Sequence, residues 1–340
     1  MKSGVLSIFA AAALVGAVSA AHATTLDDVK ARGSLNCGVN GAGLIGFAFA
    51  DDQGNWTGLD VDYCKAVAAA VLGDPSKVTY VPLTATERFT ALQSGTIDML
   101  ARNTTWTMDR DTKQGLLFTG VNYYDGQGFM VKKSLGVTSA LELAGASICV
   151  QTGTTTELNL ADFLKVNNLD AQPVVFDTQP EADAAYDAGR CDAYTTDASG
   201  LYSIRLKLTN PDDHVVLPEI ISKEPLGPSV RQGDDQWFNI VKWVGFALLN
   251  AEELGVTQAN ADDMLATSPD QNVRRLLGAD GTFGEGTGIG NDFGLLAIKA
   301  VGNYGEIFER NVGANSPLAI ARGLNALWNK GGIQYAPPIR

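Results

Sequence analysis

From Leu35 onward the chain repeats one unit, a short apolar run followed by a capped segment with apolar residues on one helical face and a glycine stop. The runs Leu35-Asn36-Cys37-Gly38-Val39, Val78 to Leu83 and Ile97-Asp98-Met99-Leu100-Ala101 are too short for helices, and their apolar content suits strands buried on both faces. Between the first two, Asp60 is placed to cap a helix whose Cys64, Val67, Ala68, Val71 and Leu72 share a face, and Gly73 and Pro75 end it. Thr86 is placed to cap the next helix, which runs through Leu92 and stops at Ser94-Gly95. Strand and helix in alternation indicate a parallel sheet with helices on both faces, so the pattern predicts an α/β fold.

A second series of the same kind follows Tyr123-Tyr124-Asp125-Gly126-Gln127-Gly128, where two glycines lead into the extended run Phe129-Met130-Val131. Ser139 with Glu142 and Thr154 with Glu157 have capping-box spacing, Ile148-Cys149-Val150 reads as a strand, and Thr178, Pro180 and Glu181 open a helix that Gly189 closes. Gly95-Thr96-Ile97-Asp98 is echoed by Gly189-Arg190-Cys191-Asp192, and each strand runs into a polar segment containing Thr. Pro225-Leu226-Gly227-Pro228 reads as a return crossing, and Asp234 caps a long helix that includes Trp237, Ile240, Val241 and Val244. Beyond Ala251, Asn260 and Ser268-Pro269 mark helix starts. Residues 278 to 294 hold seven glycines and predict irregular chain, and Pro317 to Trp328 predicts a last helix.

Lys2, the apolar stretch from Val5 to Ala20, and Ala21-His22-Ala23 form a secretory signal over residues 1–23. The 16 residues of that stretch fall short of the ~20 that a spanning helix needs. A formal charge of −13 without basic clusters makes nucleic acid and anionic membrane surfaces poor partners. His214 is the one histidine left after cleavage, so histidine chemistry and metal binding are not expected, and no cofactor is implied. Cys37, Cys64, Cys149 and Cys191 fit no Cys-x-x-Cys motif; an even number in an exported chain favours disulfides, with free buried thiols as the alternative.

Ligand-binding groups of open α/β sheets gather at the carboxyl ends of strands. There the chain carries Asn103-Thr104-Thr105-Trp106-Thr107-Met108-Asp109-Arg110, in which Thr107 can cap a short helix and Arg110 offers a planar fork of donors suited to a carboxylate. The alternative is a Thr-rich turn that only caps a helix.

With Gly58-Leu59-Asp60-Val61-Asp62, Leu92 to Asp98 and Gln151-Thr152-Gly153-Thr154-Thr155, this stretch resembles the periplasmic amino-acid-binding proteins, the solute receptors of polar amino-acid ABC transporters, and their general L-amino-acid-binding branch in particular. The resemblance covers roughly Leu26 to Asn250. It implies a two-lobed, type II binding-protein fold, two doubly wound mixed sheets joined by a two-strand hinge. Lobe 1 would take residues 24–125 and 227–340, with a helical extension from about 251, and lobe 2 residues 126–226. Two cysteines then fall in each lobe, which favours Cys37 with Cys64 and Cys149 with Cys191 while the other pairings stay open.

The resemblance also implies a site. Arg110, the Thr105 hydroxyl and N–H, and the Thr155 N–H would hold a ligand carboxylate, and Asp197 with the Asn103 carbonyl would take the ammonium. Thr154 and Gln151 would frame the second lobe's side. Gly41, Leu44 and Ala85 stand where relatives carry bulkier or charged groups, implying a wide pocket. Arg102 would favour acidic or amide side chains, unless it pairs with a structural carboxylate such as Asp98. The implied protein is a monomeric, non-enzymatic periplasmic receptor that delivers L-amino acids, with Glu, Asp, Gln and Asn favoured, to transmembrane permease subunits. A dehydratase-like enzyme on the same scaffold is the alternative, since fold does not decide function.

Overall fold

The computed structural model describes residues 24–340; the signal sequence read over residues 1–23 lies outside them. Two five-stranded sheets organise the chain. The first runs in the order Val78–Leu83, Leu35–Asn40, Met99–Leu100, Ser229–Arg231, Leu116–Phe118, and the second in the order Gln172–Phe176, Ser147–Gln151, Ala193–Asp197, Gln127–Lys132, His214–Val216. In each, the fourth strand is antiparallel to both neighbours and follows a crossing between sheets. The crossings themselves, Tyr123–Asp125 and Glu224–Leu226, pair antiparallel to form a short two-strand hinge. This is the two-lobed fold that the resemblance to periplasmic amino-acid-binding proteins implies.

Most helix caps fall where the sequence places them. Thr107 accepts from the N–H of Arg110, Thr154 from Glu157, and Asp234 from Trp237, while Thr178 with Glu181 and Ser139 with Glu142 make reciprocal boxes. Two helix starts differ. Asp60 does not cap: the helix Leu59–Leu72 begins from Gly58, and the Asp60 carboxylate is turned inward to accept from the Asn103 N–H and the Asn122 amide. The backbone at Gly58 has φ 131°, and a Cβ there would lie 2.1 Å from the Phe47 carbonyl oxygen, so glycine is required for the close approach. Thr86 does not cap either, because the helix Arg88–Gln93 starts from Glu87, whose carboxylate is bonded back to Thr84.

A disulfide joins Cys37 of the first strand to Cys64 on the helix Leu59–Leu72, and a second joins Cys149 to Cys191 in the other lobe. All four sulfurs belong to buried residues, so each bridge staples a strand inside its own core.

After the helix Asp235–Glu253, four more helices, Ala261–Thr267, Gln271–Leu276, Phe293–Val301 and Tyr304–Asn311, complete the first lobe. Phe293–Val301 packs on Leu59–Leu72 and Asp235–Glu253, burying Phe293, Ala297 and Ile298. The glycine-rich stretch is irregular apart from one 3-10 turn at Glu285–Thr287. The expected helix from Pro317 to Trp328 is absent. Ala319 and Gly323 have φ of 47° and 49°, and the chain forms only 3-10 turns at Gly323–Asn325 and Trp328–Lys330. Tertiary contacts override propensity here: the Arg322 guanidinium bonds Glu252 at 3.0 Å and lies 4.8 Å over the Phe308 ring. The Asn325 side chain then accepts from the Tyr124 N–H at 2.7 Å and donates to the Tyr124 carbonyl at 3.0 Å, fixing the first hinge strand to the tail.

Candidate functional site

The carboxyl ends of both central strands open into one cleft between the sheets. Lobe 1 supplies Asn40, Arg88, Arg102, Asn103, Thr105 and Arg110; lobe 2 supplies Gln151, Thr154, Thr155, Thr156, Gln179, Tyr194, Thr196 and Asp197. The polar segments after the two echoed strands therefore do face each other.

Asn103 has φ 30°, a left-handed conformation that Asn tolerates better than most residues, and its N–H is held by Asp60 at 2.8 Å. That turn brings Thr105 and Arg110 to the cleft. Arg110 donates to the Thr105 carbonyl at 2.9 Å and rests 5.2 Å from the Phe89 ring centroid, leaving further donors of its fork available. Across the cleft, Thr154 caps the helix Thr155–Val166 with its hydroxyl also bonded to the Gln151 carbonyl at 2.7 Å. Among the described residues the N–H groups of Thr105 and Thr155 find no acceptor in the chain. Free N–H groups at a helix start are suited to an anion.

Asp197 stands at the start of the helix Ala198–Arg205 but makes no side-chain cap, so its carboxylate is free to serve the cleft. Burial, with the charges of Asp125 and Glu224 behind it, holds that carboxyl well above the usual range, opposed by a hydrogen bond from Asn103 and by Arg88. Burial likewise raises Asp60 to about 6 against its Asn103 and Asn122 hydrogen bonds and the Arg102 charge.

Three guanidiniums share the lobe 1 wall. Burial pushes Arg102 down to about 10, with Asp60 opposing and Arg110 adding repulsion; Arg88 is depressed further by burial and by Arg102 and Arg110. Arginine keeps its proton nonetheless, so the lobe 1 wall gathers three positive charges that Asp60, Asp197 and Glu224 offset in part. Arg102 donates its Nε to the Leu83 carbonyl at 2.9 Å and is not bound to Asp98, which instead pairs with Arg32. Arg88 donates to Thr104 at 3.3 Å; its Nε, and the Gln179 Nε2, are buried without a partner among the described residues. A second anionic or carbonyl group on a ligand would satisfy them.

Of the residues singled out in the sequence, Arg110, Thr105, Asn103, Arg102, Gln151, Thr154, Thr155 and Asp197 all line the cleft. Gly41, Leu44 and Ala85 do not: Leu44 and Ala85 are buried in the first lobe, and a Cβ on Gly41 would meet Pro82 and Leu83. Sequence reasoning missed Arg88 and Glu224. Glu224, on the second hinge strand, accepts from the Thr105 and Thr155 hydroxyls at 2.5 and 2.8 Å and from Ser222 and Asn159 at 2.6 and 2.7 Å.

A two-sheet fold with a polar cleft at facing strand ends, closed behind by a two-strand hinge, defines a solute-binding protein. The chain belongs to the bacterial extracellular solute-binding proteins, family 3, whose match spans residues 35–258. Its sequence is 67% identical over 344 aligned residues, covering all of both chains, to the general L-amino acid-binding periplasmic protein AapJ of Rhizobium johnstonii. It is 59% identical to the glutamate/glutamine/aspartate/asparagine-binding protein BztA of Rhodobacter capsulatus, covering all of this chain and 99% of the other. In structure it is similar to a periplasmic binding protein of an ABC transporter from Brucella ovis with glutathione bound, at TM-score 0.92 and 62% identity, covering 94% of this chain and all of that one. The full-length relatives share the extension beyond residue 258, which the family match does not reach.

Proposed function

We propose that this chain is a periplasmic receptor that closes on a free L-amino acid and delivers it, as a monomer and without catalysis, to the permease subunits of an ABC importer. The observation that carries this reading is that Arg110 of one lobe and Asp197 of the other, both buried, line a single cleft. An α-amino acid needs a donor set and a carboxylate a few ångströms apart. Arg110 with the free N–H groups of Thr105 and Thr155 suits the α-carboxylate, and Asp197 with the Asn103 carbonyl suits the ammonium. Asp197 without an ammonium would be buried and unpaired, so deaminated analogues bind poorly.

Arg88 and Arg102 favour ligands with a second carboxylate or a carbonyl, in keeping with the ligands named for BztA. The breadth in the name of AapJ supports a wide range around that preference. Glutathione, held by the Brucella ovis relative, presents an amino-acid head at its γ-glutamyl end and is a ligand to test alongside. Export by the leader at residues 1–23 accords with the periplasmic naming of AapJ.

Calorimetric titration of glutamate, glutamine, leucine, lysine and glutathione into the purified chain, with chromatography of each mixture for products, tests the reading. Micromolar or tighter binding of glutamate and glutamine, weaker binding of lysine and no product are expected. No heat with any of the amino acids, or turnover of one, overturns it.

A further inference from the structure

Glu224 is buried, lies on a hinge strand rather than on either cleft wall, and takes four hydrogen bonds from three separate segments. One oxygen receives the Thr105 hydroxyl from lobe 1 and the Thr155 hydroxyl from lobe 2; the other receives Ser222 and Asn159. The two threonine oxygens lie 3.3 Å apart, on the line where the lobes meet.

A threonine hydroxyl carries one proton and two lone pairs, and an ionised carboxylate only accepts. A hydroxyl whose proton is committed to Glu224 has nothing left to donate toward the cleft. Its lone pairs remain. Both threonines line the cavity, so the edge their hydroxyls form accepts from a ligand N–H and does not donate to a ligand carboxylate. This reassigns the hydroxyl that the family resemblance gives to carboxylate binding, leaving that work to the backbone N–H groups and Arg110.

We propose that Glu224 is a positioning residue that fixes the proton direction of Thr105 and Thr155, thereby reserving that edge of the cleft for the ligand's ammonium and tying the two lobes together behind it. The inference rests on the amino-acid reading above. It adds a residue that never touches the ligand yet decides which end of the zwitterion meets the threonine hydroxyls.

The test is a double-mutant cycle on L-glutamate affinity with Thr105→Val and Glu224→Met, each keeping side-chain bulk, and melting curves to verify folding. Each single variant should weaken binding about tenfold, and the pair should also lose about tenfold rather than the hundredfold of independent sites, because Glu224 acts through the hydroxyl. If Glu224→Met does not fold, Glu224→Gln, which keeps one acceptor, replaces it in the same cycle. Additive losses, or wild-type affinity in Thr105→Val, overturn the proposal. So does tighter binding without Glu224, which would make its carboxylate an internal competitor of the ligand. Failure of the wild-type chain to bind any amino acid would instead defeat the amino-acid reading.

Discussion

The carboxylate of Asp60 holds the backbone N–H of Asn103 at 2.8 Å, tying the start of the helix Leu59–Leu72 to the left-handed turn that carries the cleft's donors. The same carboxylate accepts from Asn122, just before the first hinge strand, so one buried acid sets both the binding turn and the approach to the hinge.

Arg110→Ala and Asp197→Ala should each cost about 3 kcal/mol of amino-acid affinity while the fold persists, since each removes a charge-assisted partner of a desolvated ligand charge. Calorimetry with glutamate measures the loss, and circular dichroism verifies folding. Micromolar affinity retained by either variant would count against the site.

The pH response of the ligand-free protein follows from Asp60 and Asp125, both raised to about 6 chiefly by burial. For an acid whose folded value lies above its unfolded one, the folded state binds more protons, so its stabilising contribution is full below about 4 and is lost as pH rises through about 6. Acids lowered by hydrogen bonds, Asp192 and Asp187 among them, act in the opposite sense and lose their contribution below about 4. The melting temperature should therefore be higher at pH 5 than at pH 7, and Asp60→Asn should flatten part of that slope. A melting temperature that climbs steadily from pH 5 to 7 contradicts the assignment.

Ligand affinity should run the other way. Asp197 is held well above the usual carboxylate range, and in its protonated form it cannot pair with an ammonium. Glutamate binding is expected to weaken as pH falls from 7 to 5 and to release protons, because Asp197 must ionise to pair with the ammonium. Titrations in buffers of different ionisation enthalpy read that exchange directly; equal affinity at both pH values would remove Asp197 from the ammonium's side.

The proposed selectivity rests on Arg102 and Arg88. Arg102→Ala and Arg88→Ala should each reduce glutamate and aspartate affinity by about 1–3 kcal/mol more than leucine affinity, and should narrow the discrimination against lysine. Equal losses for all ligands in both variants would place these guanidiniums in a structural role.

Replacing Cys149 and Cys191 together by Ser should lower stability by about 4 kcal/mol, because the bridge closes a chain segment with a sequence separation of 42. Denaturant melts of oxidised wild type and the double variant provide the comparison; coincident curves would show that the strand core holds without the staple.

Signals confined to a few neighbouring residues were readable from the sequence. Thr107 before Arg110, Asp234 before Trp237 and Thr178 before Glu181 cap their helices because a side-chain oxygen reaches an N–H only three positions on. Glu224 gives no such signal: its partner Thr105 is 119 residues away, and only the hinge brings them together. Arg88 sits in a segment read as an ordinary helix, and nothing local says that its guanidinium is buried in the cleft wall. Asp60 misled for a related reason, since a carboxylate at a helix start is ordinarily a cap and here a distant backbone donor wins it. Residues 317–328 have few local obstacles to a helix beyond Pro317 and Gly323, and lose it to the grip of Glu252, Tyr304 and Phe308 on Arg322.

The amide clasp of Asn325 on Tyr124 has a practical corollary. Both main-chain groups of Tyr124 are occupied by the tail, so the first hinge strand travels with the larger half of the molecule as one body. A label placed near Arg340, which lies against the helix Asp235–Glu253 beside Asn250 and Glu253, would ride on that stationary half. Paired with a second label on the exposed Val166 of the smaller half, it would turn closure of the cleft into a change in optical distance, without a probe in the binding cleft itself.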